Sequence, residues 1–130
     1  MQQRDEQLEN LASVVIDCGF HIHKEFGPGL LESVYEAVLA HRLGRRGLKI
    51  DRQQPVQIKI DGLVLNEGFR VDLMVENRLL IELKSVERLM PVHGKQTLTY
   101  LRLLNLPLGL LINFNAATFR EGIKRVANNY

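Results

Sequence analysis

The sequence lacks the features that mark disulfide-stabilised, secreted and membrane-spanning proteins. It contains 1 cysteine, Cys18, which excludes an internal disulfide framework. Because Cys18 lies on the apolar stripe of a predicted helix, we expect a small buried hydrophobe rather than a nucleophile. No apolar run approaches the roughly 18 residues that a membrane span needs. The polar, acidic N-terminus does not read as a signal peptide. A soluble, cytoplasmic protein is therefore predicted.

Excess charge of one sign is also scarce. The net charge of +2 at pH 7 is weakly basic and does not by itself indicate a nucleic-acid partner. Basic residues do cluster locally, at Arg42, Arg45, Arg46, Lys49 and Arg52. No aromatic residue is interleaved with them, so a base-stacking platform is not predicted. The cluster either contacts phosphates or simply stabilises the C-terminal end of a helix.

Internal repeats, linkers and low-complexity segments are absent from the sequence. The chain has 130 residues, of which 45% are hydrophobic and 25% charged, as in ordinary globular proteins. One domain spanning residues 1–130 is therefore predicted, and this length is sufficient to bury a core.

Residues 69–85 alternate between apolar and polar side chains on either side of a short turn at 76–78. A period of two is typical of strands with one apolar and one polar face, so we expect an antiparallel hairpin. Matching the apolar faces gives the pairs Val71–Leu83, Leu73–Ile81 and Val75–Leu79. The same register places Asp72 opposite Glu82 and brings Lys84 beside them.

Two facing carboxylates repel each other, and this repulsion destabilises a sheet. A hard cation between Asp72 and Glu82 removes the repulsion, and carboxylate oxygens are ligands that Mg²⁺ prefers. Lys84 is then able to orient a water molecule or to stabilise developing negative charge. The alternative is a structural ion pair between Lys84 and one carboxylate on a solvated sheet face.

The rest of the chain alternates between helical and strand patterns. Helices are predicted at residues 4–25, 30–46 and 91–104, a last short helix within 116–130, a hairpin at 55–65, and a buried strand at 108–114. The strand, helix and strand between residues 79 and 114 imply two parallel neighbours. The expected buried residues are Leu31, Val34, Val38 and Leu39 in the second helix, with Leu43 as a further candidate, and Phe119, Ile123 and Val126 in the last one.

Several motifs occur in a fixed order along the chain. They are Gly29-x-x-Glu32-x-x-Tyr35, Val71-Asp72-Leu73, Ile81-Glu82-Leu83-Lys84, Gln96-x-x-x-Tyr100 and the run from Gly109 to Phe114. Together they resemble the GxxExxY family of the PD-(D/E)xK nuclease superfamily over nearly the whole chain. Val71 stands where the superfamily usually has proline.

This resemblance implies an α/β fold with a restriction-endonuclease-like mixed central sheet flanked by helices. It also implies a magnesium-dependent nuclease, with manganese as a substitute, that hydrolyses phosphodiester bonds in nucleic acid, most simply DNA. The alternative is a non-catalytic nucleic-acid-binding or regulatory module that retains a nuclease-like site. A homodimer and a complex with a partner protein are both compatible with the sequence.

The resemblance also suggests residue roles. The predicted catalytic residues are Glu32, Asp72, Glu82, Lys84 and Gln96, and the predicted metal ligands are Asp72, Glu82 and the main-chain carbonyl of Leu83. The candidate substrate-binding residues, from the resemblance and the basic cluster, are Tyr35, Arg45, Arg46, Lys95 and Tyr100. Glu67 matches a further family position and is a candidate for substrate or metal contact. Glu32 has a simpler explanation as a carboxylate at a helix N-terminus, and Tyr35 has one as a core residue.

Overall fold

Five strands form a mixed sheet whose spatial order, β1-β2-β3-β4-β5, follows their order in the chain. The computed structural model describes residues 4–130, except for the side chain of Glu67, so the prediction for Glu67 lies outside the described residues. The strands are β1 (Ile50–Ile60), β2 (Leu63–Val75), β3 (Leu79–Lys84), β4 (Leu108–Asn113) and β5 (Ile123–Ala127). The helices are α1 (Glu6–Phe26), α2 (Glu32–Arg45), α3 (Pro91–Leu104) and α4 (Phe119–Gly122). Only β3 and β4 are parallel neighbours among these strands. The predicted α/β fold with a mixed sheet is confirmed.

Helices α1 and α2 pack together against one face of the sheet, and α3 packs against the other. α1 begins where the Asp5 carboxylate accepts a hydrogen bond from the Leu8 amide, at 3.1 Å, and ends at Gly27, whose positive φ of 68° suits glycine. Cys18 is buried in the core between the helices and the sheet, as expected. No helix within residues 4–130 combines the length and the apolar composition needed to cross a bilayer.

The buried side of α2 differs from the prediction. Leu39 is fully buried, but Leu31 and Val34 are 71% and 38% exposed. Leu31 precedes the first helical turn, and Val34 lies on the face of α2 that turns away from the sheet. Leu43, the further candidate, is fully buried, and so is Tyr35, whose core explanation the structure confirms; both continue the stripe through Leu39 at helical spacing.

β1 and β2 form one long hairpin rather than a short hairpin joined to a second one by a link. The turn at Asp61 and Gly62 is as predicted, but β2 then runs without interruption for 13 residues. Gly68 permits this continuity, because the Ile58 side chain packs across it and would lie 2.1 Å from a Cβ atom there. The outer part of the hairpin therefore projects beyond β3.

The strand, helix and strand that follow the central turn agree with the sequence. β3 and β4 pair in parallel, and all six residues of β4 are buried. α3 begins at Pro91, which suits the first helical position because proline has no amide hydrogen to leave unpaired.

The C-terminal segment is mostly strand, so the predicted helix there is largely wrong. Only the four residues of α4 are helical, and β5 follows at once and pairs antiparallel with β4. Phe119 and Val126 are buried as expected, but Val126 and Ile123 pack on opposite sides of the sheet. Ile123 and Val126 are three residues apart, as in a helical stripe, but in the strand they pack into two different cores.

Candidate active site

The sheet divides where β2 and β3 separate. These strands are paired only from Val75 and Leu79 to Leu73 and Ile81, so two of the three predicted apolar pairs are present. Beyond that point β2 remains paired with β1, and β3 remains paired with β4 as far as Lys84 and Asn113. The predicted pairing of Val71 with Leu83 is therefore wrong, because the two strands have separated before they reach it. We call this separation the fork.

Two carboxylates occupy the fork. The Asp72 carboxylate accepts a hydrogen bond from the Leu83 amide at 2.8 Å, and the Glu82 carboxylate accepts one from the Asp72 amide at 3.3 Å. Each side chain thus satisfies a main-chain group that the interrupted ladder leaves without a strand partner. The expected proximity of Asp72 and Glu82 is confirmed, although side chains rather than ladder hydrogen bonds connect their strands.

The fork makes it costly for Glu82 to carry a negative charge. The residue is only 6% exposed. Burial raises the pKa of Glu82 to about 9, and the neighbouring Asp72 carboxylate shifts it in the same direction. In the protein alone, this raised pKa favours the protonated, neutral form of Glu82 at neutral pH. A divalent cation is the other means of balancing the charge of the two carboxylates.

Glu32 and Lys84 complete the polar surroundings of the fork. Lys84 is the last residue of β3, two positions after Glu82, and Glu32 is the first residue of α2. Burial raises the pKa of Glu32, while Lys84 lowers it and Asp72 raises it by their charges. Glu32 therefore lies within electrostatic range of both residues. The Ser85 hydroxyl donates to the Leu30 carbonyl at 2.9 Å and connects the end of β3 to the start of α2.

The chain was also compared with families of known proteins and with solved structures. The family model of the PD-(D/E)XK nuclease superfamily matches residues 9–126. The chain belongs to this superfamily. No curated protein matches the chain. One solved structure that is similar, the crystal structure of SSO0001, has 17% sequence identity and a TM-score of 0.44, covering 91% of this chain and 78% of that chain.

The structure of this superfamily member also contains a polar network that the sequence did not predict. The Gln53 amide donates to the Asp72 carboxylate at 3.1 Å and to the Glu36 carboxylate at 2.5 Å. Glu36 is 6% exposed and accepts two further hydrogen bonds from the Arg52 guanidinium, at 3.0 and 3.2 Å. Gln53 therefore fixes the orientation of Asp72 from the β1 side.

One part of this network could have been found from the sequence. Glu36 lies four residues after Glu32, so both residues occupy one face of α2. Gln53 gives no such signal. Its φ of 49° places it in the left-handed region, and the ladder between β1 and β2 passes it over, pairing Arg52 with Leu73 and Gln54 with Val71. Because the pairs on either side keep one register, Gln53 lies opposite Asp72, and opposed residues share a face of the sheet.

The structure buries Tyr35 beside the site. Its ring stacks on Phe114 with centroids 4.5 Å apart. Its hydroxyl donates to the Gly27 carbonyl at 2.5 Å and accepts from the Leu30 amide at 3.1 Å. Tyr35 thus fixes the loop that delivers Glu32, and these hydrogen bonds already occupy its hydroxyl group.

On α3, Gln96 and Tyr100 lie on the flank that faces β2. Tyr100 stacks on Phe69 of β2 with ring centroids 3.8 Å apart. Burial raises the pKa of Tyr100, the charges of Glu82 and Asp72 raise it further, and a hydrogen bond with Gln96 lowers it. Lys95 lies on the other flank of α3, in a groove beside β5.

Arg45 and Arg46 lie at the opposite end of α2 from Glu32. The helix has 14 residues, which corresponds to roughly 20 Å. There Arg46 pairs with Asp17 at 3.2 Å, and both arginines line a groove of about 410 Å³ together with Cys18. They are remote from the fork, so any contact they make with a substrate is outside the reacting centre.

Proposed function

We propose that this chain is a divalent-metal-dependent nuclease that hydrolyses phosphodiester bonds in DNA, and that within its superfamily it is a member of the GxxExxY family. The observation that carries the proposal is the fork, where two carboxylates meet beside a lysine at the end of a buried strand. Membership of a nuclease superfamily makes a phosphodiester the natural substrate for this arrangement.

The residues at the fork fit a hard cation that is bound by oxygen. Within residues 4–130, no group of three or more His, Cys, Asp or Glu side chains is arranged as a metal-binding cluster. Mg²⁺ does not require one, because it commonly binds through one or two carboxylates and retains water or substrate phosphate as its other ligands. Asp72, Glu82 and the Leu83 carbonyl would hold the ion. When bound, it supplies charge neutralisation at the scissile phosphate.

The remaining side chains have roles that follow from their positions. Lys84 orients the attacking water molecule or stabilises the charge that develops on the phosphate. Glu32 supports that water from the start of α2. Gln96 and Tyr100 provide hydrogen-bond donors on the α3 side of the fork. Gln53 and Glu36 keep Asp72 in one orientation, which matters because small displacements of a catalytic group reduce rates strongly.

A second candidate function is a nucleic-acid-binding or regulatory module with a retained but inactive site. The limited set of acidic ligands is the observation that favours it, since two carboxylates alone hold a cation weakly until other oxygens complete the shell. Loss of nuclease activity with retention of metal binding is the property that distinguishes this function from the first one.

The test is cleavage of supercoiled plasmid, linear duplex and single-stranded DNA in Mg²⁺, Mn²⁺ or EDTA. We expect cutting in either metal, none in EDTA, and a loss of about 10³-fold in Lys84→Ala, as for removal of a group that stabilises transition-state charge. Lys59→Ala is the matched control, because Lys59 is an exposed lysine on β1 outside the fork. Equal cutting by Lys84→Ala and the wild type would overturn the proposal. Metal-dependent stabilisation without cutting would favour the second function.

A further inference from the structure

A groove of about 370 Å³ lies between α3 and β5. Its lining residues are Pro91, Gly94, Lys95 and Leu98 from α3, and Lys124, Arg125, Val126 and Ala127 from β5. No residue of this lining is acidic. The groove is separate from the fork, since α3 turns Lys95 and Leu98 toward β5 while Tyr100 faces β2.

Two lysines give the groove its charge. The Lys124 ammonium lies 3.3 Å from the position of a Cβ atom at Gly94, so the glycine leaves room for it against the helix. Lys95 is the next residue along α3, and both lysines are exposed. Within the described part of the chain, neither lysine takes part in a salt bridge.

Arg125, the next residue on β5, differs from Lys124 because its charge is balanced by a carboxylate. Arg125 points to the other face of the sheet, where its guanidinium pairs with the Glu9 carboxylate at 2.5 Å. Lys124 pairs with no carboxylate among the described side chains. It lies instead against the first turn of α3, which contains no acidic residue and where the helix dipole is positive. An anion in the groove would relieve this accumulation of positive charge.

The strand register relates the groove to the fork. Glu82 pairs with Leu111 across β3 and β4, and Leu111 pairs with Lys124 across β4 and β5. Directly opposed residues lie on one face of a sheet, so Lys124 and Glu82 share the face that α3 covers. Two strand spacings separate them, which amounts to roughly 10 Å between Cα atoms.

We propose that the groove lined by Lys95 and Lys124 binds a backbone phosphate of the nucleic acid close to the scissile one. This inference rests on the proposed nuclease function and names one of its substrate contacts. The groove would bind nucleic acid without base specificity, because phosphate contacts position the nucleic acid without discriminating between bases. Substrate binding would therefore extend from the fork across the N-terminal end of α3 to the edge strand.

The test is the salt dependence of affinity for a fluorescent DNA duplex, measured by anisotropy with Ca²⁺ in place of Mg²⁺. Lys124→Gln and Lys95→Gln should each weaken binding and reduce the slope of log affinity against log salt by about 1. Lys124→Arg should restore most of the slope. Arg102→Gln is the control, because Arg102 is an exposed cation at the opposite end of α3, and it should leave the slope unchanged.

The outcomes separate the groove from the function. If both glutamine variants bind with the wild-type slope, the groove proposal is overturned and the nuclease proposal stands. If the wild-type protein neither binds nor cleaves nucleic acid, the proposed nuclease function is wrong, and the groove proposal is wrong with it. Thermal unfolding of each variant is measured in parallel, and a weakened affinity counts in favour only where the melting temperature is unchanged.

Discussion

Carboxylates at two sites of the protein differ in how their negative charge is balanced. One site is the fork, and the other is Glu9 in the first turn of α1. At the fork, Asp72 and Glu82 lie close together, and the charge of Lys84 offsets only a small part of the rise in the pKa of Glu82. At the start of α1, Glu9 accepts hydrogen bonds from Arg125 and from the Tyr130 hydroxyl, both at 2.5 Å. The first site lies in the middle of the sheet, and the second joins the two ends of the described chain.

The pKa of a glutamate carboxyl group is therefore shifted in opposite directions at the two sites. Hydrogen bonds from Arg125 and then from Tyr130 lower the pKa of Glu9 to about 2. Burial and the Asp72 carboxylate raise the pKa of Glu82 to about 9. A carboxylate that has an arginine contributes to stability, whereas carboxylates held together without one cost stability and are retained where a ligand can use them. This contrast separates the proposed active site from the carboxylate of Glu9, which has a structural partner.

The largest effect is expected from adding a divalent metal ion, which should stabilise the protein through the fork and not through Glu9. Because two carboxylates meet at the fork without a salt bridge of their own among the described residues, Mg²⁺ at one hundred times its dissociation constant should stabilise the protein by about 2.7 kcal/mol. The stabilisation should disappear in Asp72→Asn and persist in Asp51→Asn, whose carboxylate lies on β1 near Lys49. Thermal unfolding with and without EDTA measures it. A gain in Asp72→Asn as large as that of the wild type would mean that the ion binds elsewhere.

The second prediction concerns the hydrogen bonds of Gln53, which hold Asp72 in position and do not change the charge at the fork. Gln53→Gly removes both side-chain hydrogen bonds but suits the positive φ of 49°. We therefore expect stability to change by less than about 1 kcal/mol, while kcat for DNA cleavage falls about tenfold because Asp72 is free to reorient.

Gln57→Ala is the control for that experiment, since Gln57 is an exposed β1 amide that donates to Asn66 at 2.8 Å on the projecting hairpin. If Gln53→Gly cleaves DNA at the wild-type rate, Asp72 does not need the network. A large loss of stability without a specific loss of kcat would assign Gln53 a purely structural role.

The sequence predicts the parts of the site that follow from period and spacing. Alternation on either side of the turn at 76–78 is sufficient to bring Asp72 and Glu82 together, because the apolar face fixes the register. It does not predict the fork, since the ladder there is interrupted by the side chains' own hydrogen bonds to main-chain amides. Periodicity describes which face a side chain occupies and not whether two strands stay paired.

The sequence does not predict the C-terminal strand for a related reason. Ile123 and Val126 are three residues apart, a separation compatible with a helical stripe, but each packs into a different core on either side of the sheet. The edge of β4 offers hydrogen-bond partners that a local pattern does not reveal, and tertiary pairing decides the conformation. The same strand supplies Lys124 to the groove beside α3.

The smallest effect is expected from Glu9→Gln. Because the folded pKa of Glu9 lies below its ordinary value of 4.5, its contribution is fully present above about pH 4.5 and is lost as the pH falls through about 2. The side chain remains partly exposed, so we expect a loss of only about 1 kcal/mol at pH 7. Urea unfolding of wild type and Glu9→Gln should show this difference at pH 7 and its near disappearance at pH 2. Glu6→Gln, in the same first turn of α1, measures the part due to the helix N-terminus alone. A gap that widens as the pH falls would show that Glu9 does not stabilise the protein through its negative charge, and the contrast with the fork would then be lost.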